Sequence, residues 1–174
     1  MKNILLNDLK SGKETLVINA IEKLMDAGDV SYLPDIFELL KSNPSQEVRK
    51  QITSLLSQLK PQEAVPVLIE AIRNHKEIRK DLISACWSNG LDYREYMSDF
   101  IDWTIESDFE TQFEAYSVVT NMECGIPEAT CDVQIAKLES AIKSSGNPTT
   151  IALLEDLINV LTMIKQGKPL EERM

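Results

Sequence analysis

One short pattern, written twice, limits what this chain can fold into more than any other feature. Glu47-Val48-Arg49-Lys50-Gln51-Ile52 and Glu77-Ile78-Arg79-Lys80-Asp81-Leu82 match position by position at an offset of 30 residues. In each copy Glu precedes a β-branched apolar residue, then Arg and Lys, then an aliphatic residue four after the first. Apolar residues continue the same face at Leu55 and Leu56 in one copy and at Ala85 and Cys86 in the other. Upstream of each lies a further amphipathic segment, over 33–40 and 64–72. The spacing is that of helices rather than strands. The unit is a repeated helix–turn–helix, and a period near thirty residues is the mark of a stacked array.

The same spacing extends along the chain and predicts ten helices, over about 3–10, 13–27, 32–41, 46–59, 64–73, 76–88, 92–106, 108–122, 129–143 and 149–165. The second should bury Leu16, Val17, Ala20, Ile21 and Leu24 and stop at Gly28, where a left-handed residue costs little. Asp29 and Ser31 can cap the third, with Pro34 tolerated in its first turn. Ser45 can cap the fourth and Ser107 the eighth. Glu123-Cys124-Gly125-Ile126-Pro127 is the longest break and is expected to be mobile. Paired into hairpins, the second helices align near Lys13, Val48, Ile78, Thr111 and Thr150.

Composition narrows the class. Hydrophobic content of 43% suits a chain with a core, and six glycines are few for a sheet protein. The net charge of −10 opposes phosphate-backbone binding, which needs clustered Lys and Arg. Much of the acidity is local: eight acidic residues and one Arg lie between Asp92 and Glu114. Cys86, Cys124 and Cys131 are widely spaced, odd in number and without a CxxC, which fits reduced thiols packed as small hydrophobes. The N-terminal apolar run of Ile4-Leu5-Leu6 is too short for a signal-peptide core, and no segment approaches a membrane span. A cytoplasmic, monomeric protein is expected.

With these residues in view, the chain resembles the HEAT-repeat family. Second helices of that family commonly open with an acidic residue and Val-Arg, as Glu47-Val48-Arg49 with Ile52 and Glu77-Ile78-Arg79 with Leu82 do here. Pro34-Asp35 and Val65-Pro66 suit the preceding helices. The remaining pairs lack the Val-Arg step; Thr111-Gln112 stands there in the fourth, while Ala115 and Val118-Val119 keep the core phase. The aromatic, Leu-Gly and Tyr spacing of tetratricopeptide arrays is not found. The resemblance implies an all-α, right-handed α-α superhelix of about five helical hairpins. It forms a single domain over 1–165, with a flexible tail at 166–174. It also implies that Arg49 and Arg79 bridge adjacent units, and that second helices line a concave face.

On that register the outward positions are Ile18 and Glu22, Thr53 and Ser57, Ile83 and Trp87, then Phe113, Tyr116 and Thr120, and finally Glu155 and Asn159. Helices packed about 8–10 Å apart would gather Ile83, Trp87, Phe113 and Tyr116 into one patch, an aromatic centre with a polar rim. Asp92, Glu95, Asp99, Asp102 and Glu106 step by three and four along the seventh helix, with Tyr93, Met97, Phe100, Ile101 and Thr104 toward the core. Such a stripe is solvated and lacks the loop carbonyls of a calcium cage. His75, the one histidine, has no paired nucleophile, and most zinc sites want several ligands.

No catalytic residue, cofactor or metal is therefore expected. The function expected is a non-catalytic scaffold or adaptor that holds an unidentified protein or peptide on its concave face, with no nucleic acid and no membrane as partner. HEAT-like enzymes, whether bilin lyases or isomerases or alkylated-base DNA glycosylases, are the alternative class. The glycosylase needs a basic groove that is lacking here. Duplex DNA at physiological salt should give no shifted band in a mobility-shift titration, and salt-sensitive binding at micromolar protein would overturn the charge argument.

Overall fold

A computed structural model of the chain describes residues 2–27 and 29–168. Among the described residues there are ten α-helices and no strand. They are α1 (Lys2–Leu9), α2 (Glu14–Ala27), α3 (Leu33–Lys41), α4 (Gln46–Ser57), α5 (Ala64–Asn74), α6 (Arg79–Asn89), α7 (Met97–Glu106), α8 (Phe109–Thr120), α9 (Glu128–Ser144) and α10 (Pro148–Lys165). The fold is all-α and solenoid-like, as expected. Contacts divide the chain into two compact units, Met1–Leu91 and Asp92–Met174, where the sequence suggests one domain over 1–165.

Within the first unit, α1 packs on α2 and α5 on α6, and each helix also meets the one two places on. Thus α2, α4 and α6 form one layer while α1, α3 and α5 form the other. The second unit repeats the rule, with hairpins α7–α8 and α9–α10 joined through α7–α9 and α8–α10. The buried stripes show why. Val17, Ala20, Ile21 and Leu24 fall on one face of α2, and Val48, Ile52, Leu55 and Leu56 on one face of α4. Val48, Ile78, Thr111 and Thr150 are all buried at their common register position. Lys13, their expected counterpart, is exposed and precedes α2, whose first buried residue is Val17. Leu16 is also exposed, at 37%, because the stripe it adjoins begins one residue later.

Local chemistry sets the boundaries. Ser45 Oγ accepts from the Val48 amide at 3.4 Å, and Asn147 Oδ1 accepts from the Thr149 amide at 3.0 Å beside Pro148. At α8 the cap is Asp108 rather than Ser107: its Oδ1 accepts from the Thr111 amide at 3.1 Å, which holds its carboxyl below the usual range. Gly90, at φ 67°, ends α6 in the left-handed region. Gly28 lies outside the described residues. So does most of the expected tail, of which Gln166–Gly167 is a turn after α10.

Three helices enter through 3₁₀ turns, Val30–Tyr32, Lys76–Ile78 and Arg94–Tyr96, so the α-helix proper starts later than the periodicity suggests. The last of these breaks the expected carboxylate stripe. Asp92 precedes the turn, Glu95 lies in it, and Asp102 pairs with Lys137 of α9. The core side of α7 is as expected, with Tyr93, Met97, Phe100, Ile101 and Thr104 all buried. Phe100 meets Tyr93 and Trp103 edge to face, at centroid distances of 5.6 and 5.1 Å.

The loop after α8 is tied down rather than loose. Arg94 holds Asp92 through Nε (2.9 Å to Oδ1) and Nη2 (2.6 Å to Oδ2), and its Nη1 donates to the Cys124 carbonyl at 2.8 Å. That fork keeps the Asp92 carboxyl below the ordinary range. Ile126 is buried beside it in sequence, and Gly125 (φ 102°) passes so close that an added Cβ would lie 2.9 Å from Arg94 Nη1.

Ile52, with no exposed surface, sits in the α2–α4–α6 layer, whereas Lys50 on the same helix is exposed. Ile52→Asp should lower unfolding free energy by more than about 3 kcal/mol in a denaturant titration, since it buries an unpaired charge. Lys50→Asp should stay within about 0.5 kcal/mol of wild type.

Candidate binding surface

The outward positions of the even-numbered helices are the places that packing leaves free. In the first unit Glu22 and Thr53 are exposed, Ile18 and Ser57 half-buried, and Trp87 stands 47% exposed on α6. Ile83 does not join them; it is fully buried. Helix α6 packs on both α4 and α5, so its apolar face is wide enough to take in Leu82 and Ile83 together. Ile83 therefore supports α6 from within and offers no surface to a partner.

In the second unit Phe113 is 51% exposed, and Tyr116 is half-buried beside it. The structure brings these two together, with ring centroids 6.0 Å apart and planes 24° from parallel. Sequence analysis missed a third ring. Phe109, 52% exposed, precedes Phe113 by one turn and continues the stripe. The 109–113–116 spacing is itself the signal.

Helix α10 positions this stripe through two hydrogen bonds to α8. Buried Thr150 donates from Oγ1 to Gln112 Oε1 at 3.2 Å, and the Tyr116 hydroxyl donates to Asp156 Oδ2 at 2.5 Å. Burial, and then the Asp156 carboxylate, push the Tyr116 hydroxyl up to about 12. The ring is thus a neutral donor throughout the physiological range, held at one orientation against Phe113.

Other features have settled structural roles. Arg49 Nη1 meets Asp81 Oδ2 at 2.6 Å, joining α4 to α6 of the next hairpin. Arg79 Nε donates to the Ile72 carbonyl near the end of α5, at 3.2 Å. Asn89 Nδ2 reaches the Leu56 carbonyl at 3.4 Å, a second tie between α6 and α4. His75 Nδ1 lies 3.8 Å from Glu77 in the turn before α6. Cys86 and Cys131 are buried thiols and Cys124 is half-buried, none in a disulfide. Among the described residues no three His, Cys, Asp or Glu side chains converge on a metal position. No described helix is long and apolar enough to cross a membrane.

The first unit also holds a cavity of about 500 Å³ beside the 10–14 and 42–45 turns, lined by Leu9, Val17, Leu39 and Val48 with Asp35 and Glu38. Both carboxylates are already paired, Asp35 with Lys10 at 2.8 Å and Glu38 with Lys41 at 2.9 Å.

Comparison with known proteins agrees with the packing of the first unit. The family described as HEAT repeats matches residues 3–86. Residues 3–86 are HEAT repeats. The match covers α1 to the greater part of α6, and so nearly all of the first unit. HEAT repeats commonly serve as protein-interaction scaffolds and are typically not enzymes. No curated protein and no solved structure matches the chain. The second unit lies outside the match and shares with the first a helical periodicity and a packing rule.

The Tyr116 bond has a pH signature. Its folded-state value lies above the ordinary 10, so its contribution to stability is complete below pH 10 and fades as pH rises toward about 12. In a spectrophotometric titration of phenolate absorbance, Tyr116→Phe should remove the step near pH 12 and leave the earlier steps in place. Loss of a step near pH 10 instead would show that Asp156 does not hold the hydroxyl.

Proposed function

We propose that this HEAT-repeat chain is a non-catalytic scaffold that binds a protein or peptide through the exposed faces of its even-numbered helices. One observation carries the proposal. Large aromatic side chains stand about half exposed at outward phases of these helices, Trp87 on α6 and Phe109 and Phe113 on α8. Exposing such rings to water is unfavourable, while rigid aromatic anchors ringed by polar groups are what interfaces use. The habit of the family points the same way.

The test is capture from the host lysate by the tagged chain and its variants, with circular dichroism to check folding. Trp87→Ala and Phe113→Ala should keep full helicity, and at least one should cut recovery of the principal bound protein by about tenfold or more. Ser57→Ala should change recovery by less than about twofold. Equal recovery with all three variants would refute the assignment of binding to these faces.

A further inference from the structure

The charge of this chain is carried by one half of it. Residues 1–91 hold twelve Lys and Arg against twelve Asp and Glu, whereas residues 92–174 hold six against sixteen, the whole excess of ten negative charges. Three of the six cations of the second unit are paired with carboxylates of that unit. Arg94 is bound to Asp92, Lys137 to Asp102, and Lys165 to Glu128 at 3.0 Å and Asp132 at 2.7 Å. Among the described residues Glu155 and Asp156, exposed on α10, make no ion pair. They share a helix pair with the Phe109–Phe113–Tyr116 stripe, and the Tyr116 hydroxyl rests on Asp156.

We infer that the α8–α10 face of the second unit docks an arginine-bearing extended segment of a partner protein, with guanidinium planes laid on Phe113 and Tyr116 and their N–H groups turned to Asp156 and Glu155. This deepens the scaffold proposal and rests on it. The chemistry selects arginine. A planar guanidinium stacks on an aromatic face and still presents donors at its edge, whereas a lysine ammonium is a compact, strongly hydrated point charge. The Phe113–Tyr116 pair supplies the faces, at 6.0 Å and 24° from parallel, and the Asp156 carboxylate supplies acceptors beside them, with Glu155 its neighbour in the chain. The field of the whole unit attracts a cationic segment and repels an acidic one. It equally opposes a second copy of this chain on the same face.

The test uses the full chain and two fluorescent decapeptides, one alternating Arg with Gly and one alternating Lys with Gly, titrated by anisotropy at low and physiological salt. The Arg probe should bind about fivefold more tightly than the Lys probe. Phe113→Ala should remove that preference. The Glu155→Gln/Asp156→Asn double variant should weaken both probes and flatten the salt dependence, and the exposed positions of these side chains leave helicity unchanged. Equal affinity for the two probes, or a preference that survives Phe113→Ala, would overturn the inference. A partner captured through Phe113 but not displaced by excess Arg probe would also overturn it, and would leave the scaffold proposal standing. An Arg preference that Phe113→Ala removes, with capture that depends on neither Phe113 nor Trp87, would support the docking face and count against the scaffold proposal alone.

Discussion

The even-numbered helices of this protein depend on the burial of an apolar stripe against a helix two places away in the sequence. A single hairpin of this size cannot cover its own apolar surface. Stacking solves that problem, with α2 on α4 on α6 in the first unit and α8 on α10 in the second. Each fully buried Leu or Ile contributes roughly 1.5–3 kcal/mol, so Ile52, Leu56, Leu82 and Leu157 outweigh any surface ion pair near them. The polar ties at these layers, Arg49 to Asp81 and Asn89 to Leu56, fix the register of one hairpin on the next rather than hold the stack together.

This arrangement divides the surface of each even-numbered helix into a committed face and a free one. The committed face must stay apolar, since packing is intolerant of charge and of voids. The free face carries no such demand, and there Trp87, Phe109 and Phe113 expose large rings. In the second unit the free face also gathers carboxylates that the lysines of α9 and the end of α10 leave alone. Aromatic surface and negative charge thus meet where the architecture is indifferent to both. Such a place can be shaped by a partner without disturbing the fold.

The sequence made helix phases legible because burial depends on them directly. Val48 and Ile78 announce their register through the repeated Glu-Val/Ile-Arg step, and Thr111 and Thr150 share it although both are polar. Boundaries were less legible where the chain chose a 3₁₀ entry, as before α6 and α7. Such a turn uses the same residue types as a helix start and leaves little trace in periodicity. Ile83 was misplaced because a helical wheel cannot know that α6 has neighbours on two sides. Phe109 lay inside the expected eighth helix, and its exposure follows from packing that its position one turn before Phe113 does not by itself reveal. The Tyr116–Asp156 contact spans forty residues and follows from no local pattern.

The Arg94 fork has a consequence for how this protein can change over time. Asp92, Arg94, the Cys124 carbonyl and Gly125 meet at one point, and Gly125 leaves no room for a Cβ beside the guanidinium. A larger residue at 125 would have to adopt φ 102° and push the Arg94 guanidinium aside by a few tenths of an ångström, which strains the same point that holds Asp92 and the loop. Residues some thirty positions apart thus share one point of contact, and a change at either end is felt at the other.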